Sequence, residues 1–218
     1  MINYLKLNKL LYILAFLWVI GSLMSCAGGR LKINNLSSFT AQHSIQRNEL
    51  EKVIYTCQIN GGYLWKKYSL SGLLLIKKMD DESSRVVFQN EMGMTFFDFE
   101  WDSLHQFKVL SIIDKMNHEA LIKTLKKDFE VLLRLYPAIQ LENLKSDGSY
   151  IMLNLPKGKA VYTLLPQNYL QNVFIVDDAN KKIVSFLATP FQNNSVPSSM
   201  TIQHHKANFD IHLKQLHQ

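Results

Sequence analysis

Apolar residues recur at every second position along most of this chain, and that period restricts it to folds built from half-buried strands. Val53, Tyr55, Cys57 and Ile59 share one face of a first strand, with Thr56 and Gln58 opposite. Asn60-Gly61-Gly62 reads as a turn that ends it. Ser69–Met79 follows, and its Leu73, Leu74, Leu75 and Ile76 are apolar on both faces. Asp80-Asp81-Glu82-Ser83 turns the chain into Arg85–Asn90. After Glu91-Met92-Gly93-Met94, the segment Thr95–Trp101 puts Phe97, Phe99 and Trp101 on one face and Asp98 and Glu100 on the other. Phe107–Ile113 is a further strand.

One segment changes period. From Asn117 to Tyr136, residues Leu121, Leu125, Phe129, Leu132 and Tyr136 recur at three- and four-residue spacing. Lys123, Lys126, Lys127, Glu130 and Arg134 fall mostly on the other side, a solvated face with the further option of meeting lipid headgroups. Asn117 is placed to cap this helix and Pro137 to stop it. Period two then resumes over Ile139–Leu144, Tyr150–Leu155, Lys159–Leu165, Gln171–Val176 and Lys182–Ala188. Asp147-Gly148, Pro156-Lys157-Gly158 and Asp177–Asn180 supply turns. A hairpin of Ser199–His204 with Asn208–Leu213 closes the chain, with Phe209, Ile211 and Leu213 inward. Short sequential strands with tight turns predict an antiparallel meander of about 10–11 strands with one strong helix inserted midway. A weaker helical pattern runs over Phe39–Leu50.

The N-terminus has the order of a bacterial lipoprotein signal. Lys6 and Lys9 precede an apolar run, Leu10–Leu23, of about 14 residues, short of the roughly 20 that span a bilayer core. Its exit, Ser22-Leu23-Met24-Ser25-Cys26, sets a branched apolar residue three before a cysteine and a small residue directly before it. A signal peptidase pocket needs that small side chain, and a diacylglycerol thioether needs the thiol, so Cys26 is expected to become the lipidated first residue. One acyl chain holds a protein weakly, whereas two or three hold it stably. The expected divisions are a signal peptide over 1–25, a lipidated tether over 26–38 and one domain over 39–218. Gly28, Gly29, Asn34 and Asn35 suit the tether. Without the signal, 193 residues remain, enough for a sizeable core, with 22 basic against 18 acidic residues and a net charge of +4. That mild, dispersed excess is not a nucleic-acid footprint. Cys57 is then the only free thiol, so no internal disulfide forms.

Three stretches resemble the LolA/LolB group of lipoprotein carriers, and the outer-membrane receptor branch, LolB, most of all. Ser71-Gly72-Leu73-Leu74-Leu75 is similar to that group's small-residue start before an apolar strand. Asn90-Glu91-Met92-Gly93-Met94-Thr95 resembles its loop in which an apolar side chain stands out before a glycine, with Glu91 here for proline and Met92 for leucine. Val196-Pro197-Ser198-Ser199-Met200-Thr201-Ile202, leading into Phe209–Leu213, looks like its closing hairpin. The tryptophans often found near that group's middle and end are absent. The resemblance implies a mainly β, α+β fold: an open, strongly curved antiparallel sheet, an unclosed half-barrel, with the main helix and a short N-terminal one over its concave face. It also implies that this face shelters acyl chains. Phe97, Phe99, Trp101, Leu125, Phe129, Phe209 and Ile211 are then the candidate cavity lining, and Met92, Gly93 and Met94 the candidate membrane or cargo loop.

Other candidates point elsewhere. Met92 and Met94 can equally fold back onto the sheet. His204 and His205 are adjacent on a strand and face opposite ways, so even with His212 across the hairpin no metal site is expected. Cys57 reads as a buried, inert thiol. Asp98 and Glu100 lie about 7 Å apart on one strand, near the spacing of a glycosidase pair, but a polar outer face accounts for them. No nucleophile elbow, phosphate loop, zinc helix or CxxC is present, and no cofactor is implied. The reading is a monomeric, non-enzymatic lipoprotein of the outer membrane with its domain in the periplasm. It would bind acyl chains and receive or insert lipoproteins, handed over by a soluble periplasmic carrier, or bind another lipid. The alternative is a scaffold lipoprotein that uses its concave face for a protein partner; a hydrolase ranks third.

Overall fold

The structure is a computed structural model that describes residues 29–31, 37–38, 52–63, 66–135, 145–146, 150–164, 170–189 and 197–216. Thirteen strands form one sheet, eleven of them full strands and two of only two residues. The short ones are β1 (Ser37–Ser38) and β7 (Lys145–Ser146). The first meander is β2 (Lys52–Tyr63), β3 (Lys66–Lys78), β4 (Ser84–Gln89), β5 (Thr95–Trp101) and β6 (Phe107–Ile112). Helix α1 (Glu119–Leu133) follows. The second is β7, β8 (Tyr150–Asn154), β9 (Lys159–Leu164), β10 (Leu170–Val176), β11 (Lys182–Ala188), β12 (Ser199–His204) and β13 (Phe209–Gln215). Every pairing is antiparallel, and the spatial order is β1-β7-β8-β9-β10-β11-β12-β13-β2-β3-β4-β5-β6. The last strand, β13, is thus seated beside β2 in the middle of the sheet, with Leu213 opposite Cys57. Among the described residues, β1 and β6 are the two edges of the sheet, which does not close.

Its curvature follows from what α1 touches. Phe129 packs on Phe97 and Trp101 of β5, while the Tyr162 hydroxyl of β9 donates to the Val131 carbonyl at 3.4 Å. Strands β5 and β9 lie eight places apart in the sheet, roughly 38 Å if it were flat at about 4.8 Å per strand. One helix, about 10–12 Å across with its side chains, can reach both only if the sheet curls around it. The half-barrel is therefore a geometric consequence of the contacts. Inside it, Phe97, Phe99, Trp101, Leu125, Phe129, Phe209, Ile211 and Leu213 belong to a single buried cluster. Strands β8–β10 are buried on both faces: Met152, Val161, Phe174 and Val176 form a second cluster on the outer side, against which Leu31 and Tyr150 pack.

Several boundaries differ from the sequence reading. Asn60-Gly61-Gly62 does not end the first strand, because β2 continues to Tyr63 and pairs Gly61 with Tyr68. The aromatic ring of Tyr68 lies over Gly61, with ring atoms 2.2 Å from an added Cβ, so a side chain there would displace that partly exposed ring. Helix α1 starts after His118, with no side-chain cap, rather than at Asn117. It ends on Arg134 in the left-handed region (φ 55°), with Leu135 N–H donating to the Glu130 carbonyl at 3.0 Å, before Pro137 is reached. Leu73 and Leu75 of the two-faced apolar strand are half-buried outside, while Leu74 and Ile76 are in the core. The expected strand Ile139–Leu144, the helical pattern at Phe39–Leu50, Cys26 and most of the tether lie outside the described residues.

Candidate functional site

The Asn90–Met94 loop joins β4 to β5, and one side chain organises it. The Asn90 carboxamide oxygen accepts from the backbone N–H of Met92 (3.0 Å) and of Met94 (2.8 Å), an Asx turn. The backbone closes the same loop, since Asn90 N–H donates to the Met94 carbonyl and Gly93 N–H to the Asn90 carbonyl. Gly93 takes φ 85° with nothing near an added Cβ, so only backbone conformation calls for glycine there. With the loop's polar groups paired locally, Met92 points outward at 93% exposure and Met94 at 52%. Met92 does not fold back onto the sheet.

The seven side chains named as cavity lining converge on the concave face and are buried there, six at 0% exposure and Phe209 at 8%. Helix α1 covers them through Leu125 and Phe129, and the aromatic chain Phe97–Phe99–Trp101–Phe129 has ring centroids 4.5 to 6.4 Å apart. Two polar contacts pin the helix above this surface. The Trp101 indole N–H donates to Glu130 Oε1 at 3.2 Å, and Lys127 Nζ donates to the Lys157 carbonyl at 3.1 Å.

A third contact was not foreseen. Asp128, almost wholly buried on α1, faces His204 of β12, with Oδ2 3.0 Å from Nε2. His204 Nδ1 lies 3.2 Å from the Phe209 carbonyl, which fixes Nδ1–H as a donor and leaves Nε2 toward the carboxylate. Burial pushes the Asp128 carboxyl up, opposed by His204. Burial pulls the His204 imidazole down, but Asp128, the Phe209 carbonyl and Asp210 together outweigh it and leave the imidazole above its usual range. Two of the histidines thus have carboxylate partners: Asp128 meets His204, and Asp210 Oδ2 lies 2.7 Å from His212 Nε2. His205 points the other way and meets Ser185 Oγ at 2.7 Å. No group of three metal-binding side chains occurs among the described residues.

The remaining candidates are occupied structurally. Asp98 takes a two-pronged contact from Arg85 at 2.9 and 2.5 Å on the outer face, and Glu100 lies 3.9 Å from Lys108. Cys57 is buried, and burial pushes its thiol up to about 12, far from a reactive thiolate. A groove of about 610 Å³ beside the β8–β9 turn has a mixed charged and apolar lining: Lys127, Lys157, Lys159, Asp177 and Asp178 line it with Asn154–Pro156, Gly158 and Ile183. Its wall is tight, since Gly158 (φ 83°) brings the turn so close to β10 that an added Cβ would sit 2.2 Å from the Val176 carbonyl. No motif announces this groove in the sequence.

No known protein-family model matches this sequence, and no curated protein does. Among solved structures, the chain is similar to a domain from Vibrio parahaemolyticus named for outer-membrane lipoprotein sorting, at 10% identity and a TM-score of 0.46 over 82% of this chain and 89% of that one. It is similar to a LolA superfamily protein from Nitrosomonas europaea at 9% identity and a TM-score of 0.43, over 80% and 88%. A DUF1329 family protein from Desulfovibrio piger gives 6% identity and a TM-score of 0.42 over 78% and 85%. At such values, what this chain does has to be read from its own residues.

Proposed function

We propose that this chain is a lipid-anchored envelope protein, held at the outer membrane by acylated Cys26, whose half-barrel receives acyl chains on its concave face and delivers lipoproteins or another lipid. The observation that carries the reading is the Asn90–Met94 loop. Its own hydrogen bonds take up the N–H groups of Asn90, Met92, Gly93 and Met94, so closing the loop requires no apolar side chain at the tip, yet Met92 stands 93% exposed. An unbranched, polarizable side chain suits contact with disordered acyl chains. The concave face offers the acceptor: an apolar sheet surface covered by one amphipathic helix, where each methylene of a guest chain would gain roughly 0.8 kcal/mol. Capture then requires α1 to lift, because Phe97, Phe99, Trp101, Leu125 and Phe129 fill that space in the present state. Transfer needs only a difference in affinity between carriers and no covalent step.

The test is release of a purified acylated protein from this chain to liposomes, wild type against Met92→Glu. The variant is expected to fold with a change of about 0.5 kcal/mol or less, to bind cargo and to release it more slowly. Equal release rates would remove the loop from the mechanism. The filled concave face favours one second reading, a scaffold lipoprotein that binds a protein partner; co-purification of a stoichiometric protein with no acyl cargo would select it.

A further inference from the structure

We infer that one end of the sheet, the end bearing the β4–β5, β8–β9, β10–β11 and β12–β13 connections, is a docking surface for an anionic phospholipid bilayer. The inference rests on the lipid-anchor reading for one of its three supports. Strand alternation puts these connections at the same end, since Asn154 pairs with Lys159, Val176 with Lys182, His204 with Phe209 and Gln89 with Thr95.

The first support is where the chain's start joins the fold. Arg30 bridges to Lys181, Leu31 N–H donates to the Asn180 carbonyl at 3.1 Å, and Leu31 packs on the outer cluster. The segment that leads from Cys26 therefore meets the body at the β10–β11 turn. Three residues separate Cys26 from Arg30, so the four steps between them span at most roughly 14 Å of extended chain. Strand β10 alone is about 23 Å long at 3.3 Å per residue. An acyl group on Cys26 thus reaches this end of the sheet and falls short of the other.

The second support is charge. The described turns at the opposite end, 79–83 and 102–106, carry Asp80, Asp81, Glu82 and Asp102, against Lys52 and Lys78 at the flanking strand ends. The end that receives the N-terminal segment carries Arg30, Lys157, Lys159, Lys181, Lys182 and Lys206 against Glu91, Asp177 and Asp178. Asp177 is engaged within its turn, accepting from Ala179 N–H and Lys181 N–H, and its other oxygen lies 4.0 Å from Lys206. The groove opens at this end with Lys127, Lys157 and Lys159 in its wall beside Asp177 and Asp178. The third support is the exposed Met92–Met94 tip, also at this end. Anchor, basic rim and apolar tip coincide, as a surface lying on anionic lipid requires.

The experiment uses the acylated full chain in vesicles of phosphatidylcholine alone or with phosphatidylglycerol. A fluorophore is placed at Ala207→Cys, in the β12–β13 turn, or at Ser103→Cys, in the β5–β6 turn; Cys57 is buried and Cys26 blocked by lipid. Quenching by spin-labelled lipid is expected to be several-fold stronger at position 207 than at 103, and to grow with phosphatidylglycerol. Removing Lys157 and Lys206 (K157Q, K206Q) is expected to weaken the phosphatidylglycerol-dependent part roughly fivefold per lysine. Thermal melts confirm that each variant is folded, and both lysines are exposed. A chain that floats with vesicles but shows equal quenching at both positions, or more at 103, overturns this inference alone. Quenching at 207 that ignores phosphatidylglycerol also overturns it. A chain that does not float on phosphatidylcholine overturns the anchor reading as well.

Discussion

Asp128 on α1 and His204 on β12 oppose each other 3.0 Å apart beneath the helix that covers the sheet, an ionisable contact inside an otherwise apolar layer. Leu125 and Phe129 hold the helix by area, but this contact fixes its rotation and height. An apolar interface tolerates sliding, whereas a buried carboxylate displaced from its partner does not.

Asp128→Ala is expected to cost about 3–5 kcal/mol, because it strands a buried imidazole. Asp128→Leu combined with His204→Leu is expected to recover most of that loss, since a well-packed apolar pair of similar volume is often neutral. Denaturant melts of the singles and the double check this. Additive losses would show that the two residues do not act as a pair.

The same contact sets a pH dependence. Both groups sit above their ordinary values, so the native pair binds more protons than the unfolded chain does. The imidazole's contribution is complete below its unfolded pKa of about 6.5 and is lost as pH rises through its higher folded value. Between pH 6 and 8.5 the wild type is expected to lose more stability than His204→Gln. Parallel melting curves for the two proteins across that range would refute the assignment.

Phe129→Ala is expected to cost about 3–5 kcal/mol, since Phe129 is wholly buried against Phe97 and Trp101. It also opens the concave face. If that face receives acyl chains, a bound fatty acid is expected to restore part of the loss in a melt, and more than it stabilises the wild type.

Cys26→Ser is expected to leave an uncleaved precursor that no longer partitions into detergent as an acylated protein. Normal maturation of the variant, read by mass and by membrane fractionation, would remove the lipoprotein reading.

How far the sequence reaches is plain from particular elements. Strand β5 was legible to the residue because Phe97, Phe99 and Trp101 alternate with Asp98 and Glu100 between two polar turns. The exposure of Met92 was one of two open readings; what decided it, the Asn90 carboxamide binding two backbone N–H groups, depends on three-dimensional closure of the loop. Gly61-Gly62 misled because glycine pairs speak for turns, whereas here both pair within the β2–β3 ladder and the Tyr68 ring lies over Gly61. Asp128 was invisible because its partner is 76 positions away, and an aspartate beside Phe129 on a helix reads as solvated. Helix α1 stops earlier than Pro137 suggested because Arg134 adopts the left-handed conformation, a local choice that no breaker residue signals.

The seating of β13 beside β2 bears on how the molecule comes into being. Among the described strands, the first meander and β7–β12 share no other seam, so strand pairing joins the two halves of the sheet only through β13, while α1 packs on both. A chain emerging N-terminus first therefore holds two unpaired flanks, β2 and β12, until β13 is free. The pairing that unites them, Phe209 with Gly61 through Gln215 with Tyr55, spans most of the domain in sequence, which makes it slow to find. Until then the apolar undersides of both halves are open to any chaperone, or to aggregation. Termination after His204 would leave the two halves joined by no strand pairing, with β2 and β12 each presenting an open rim.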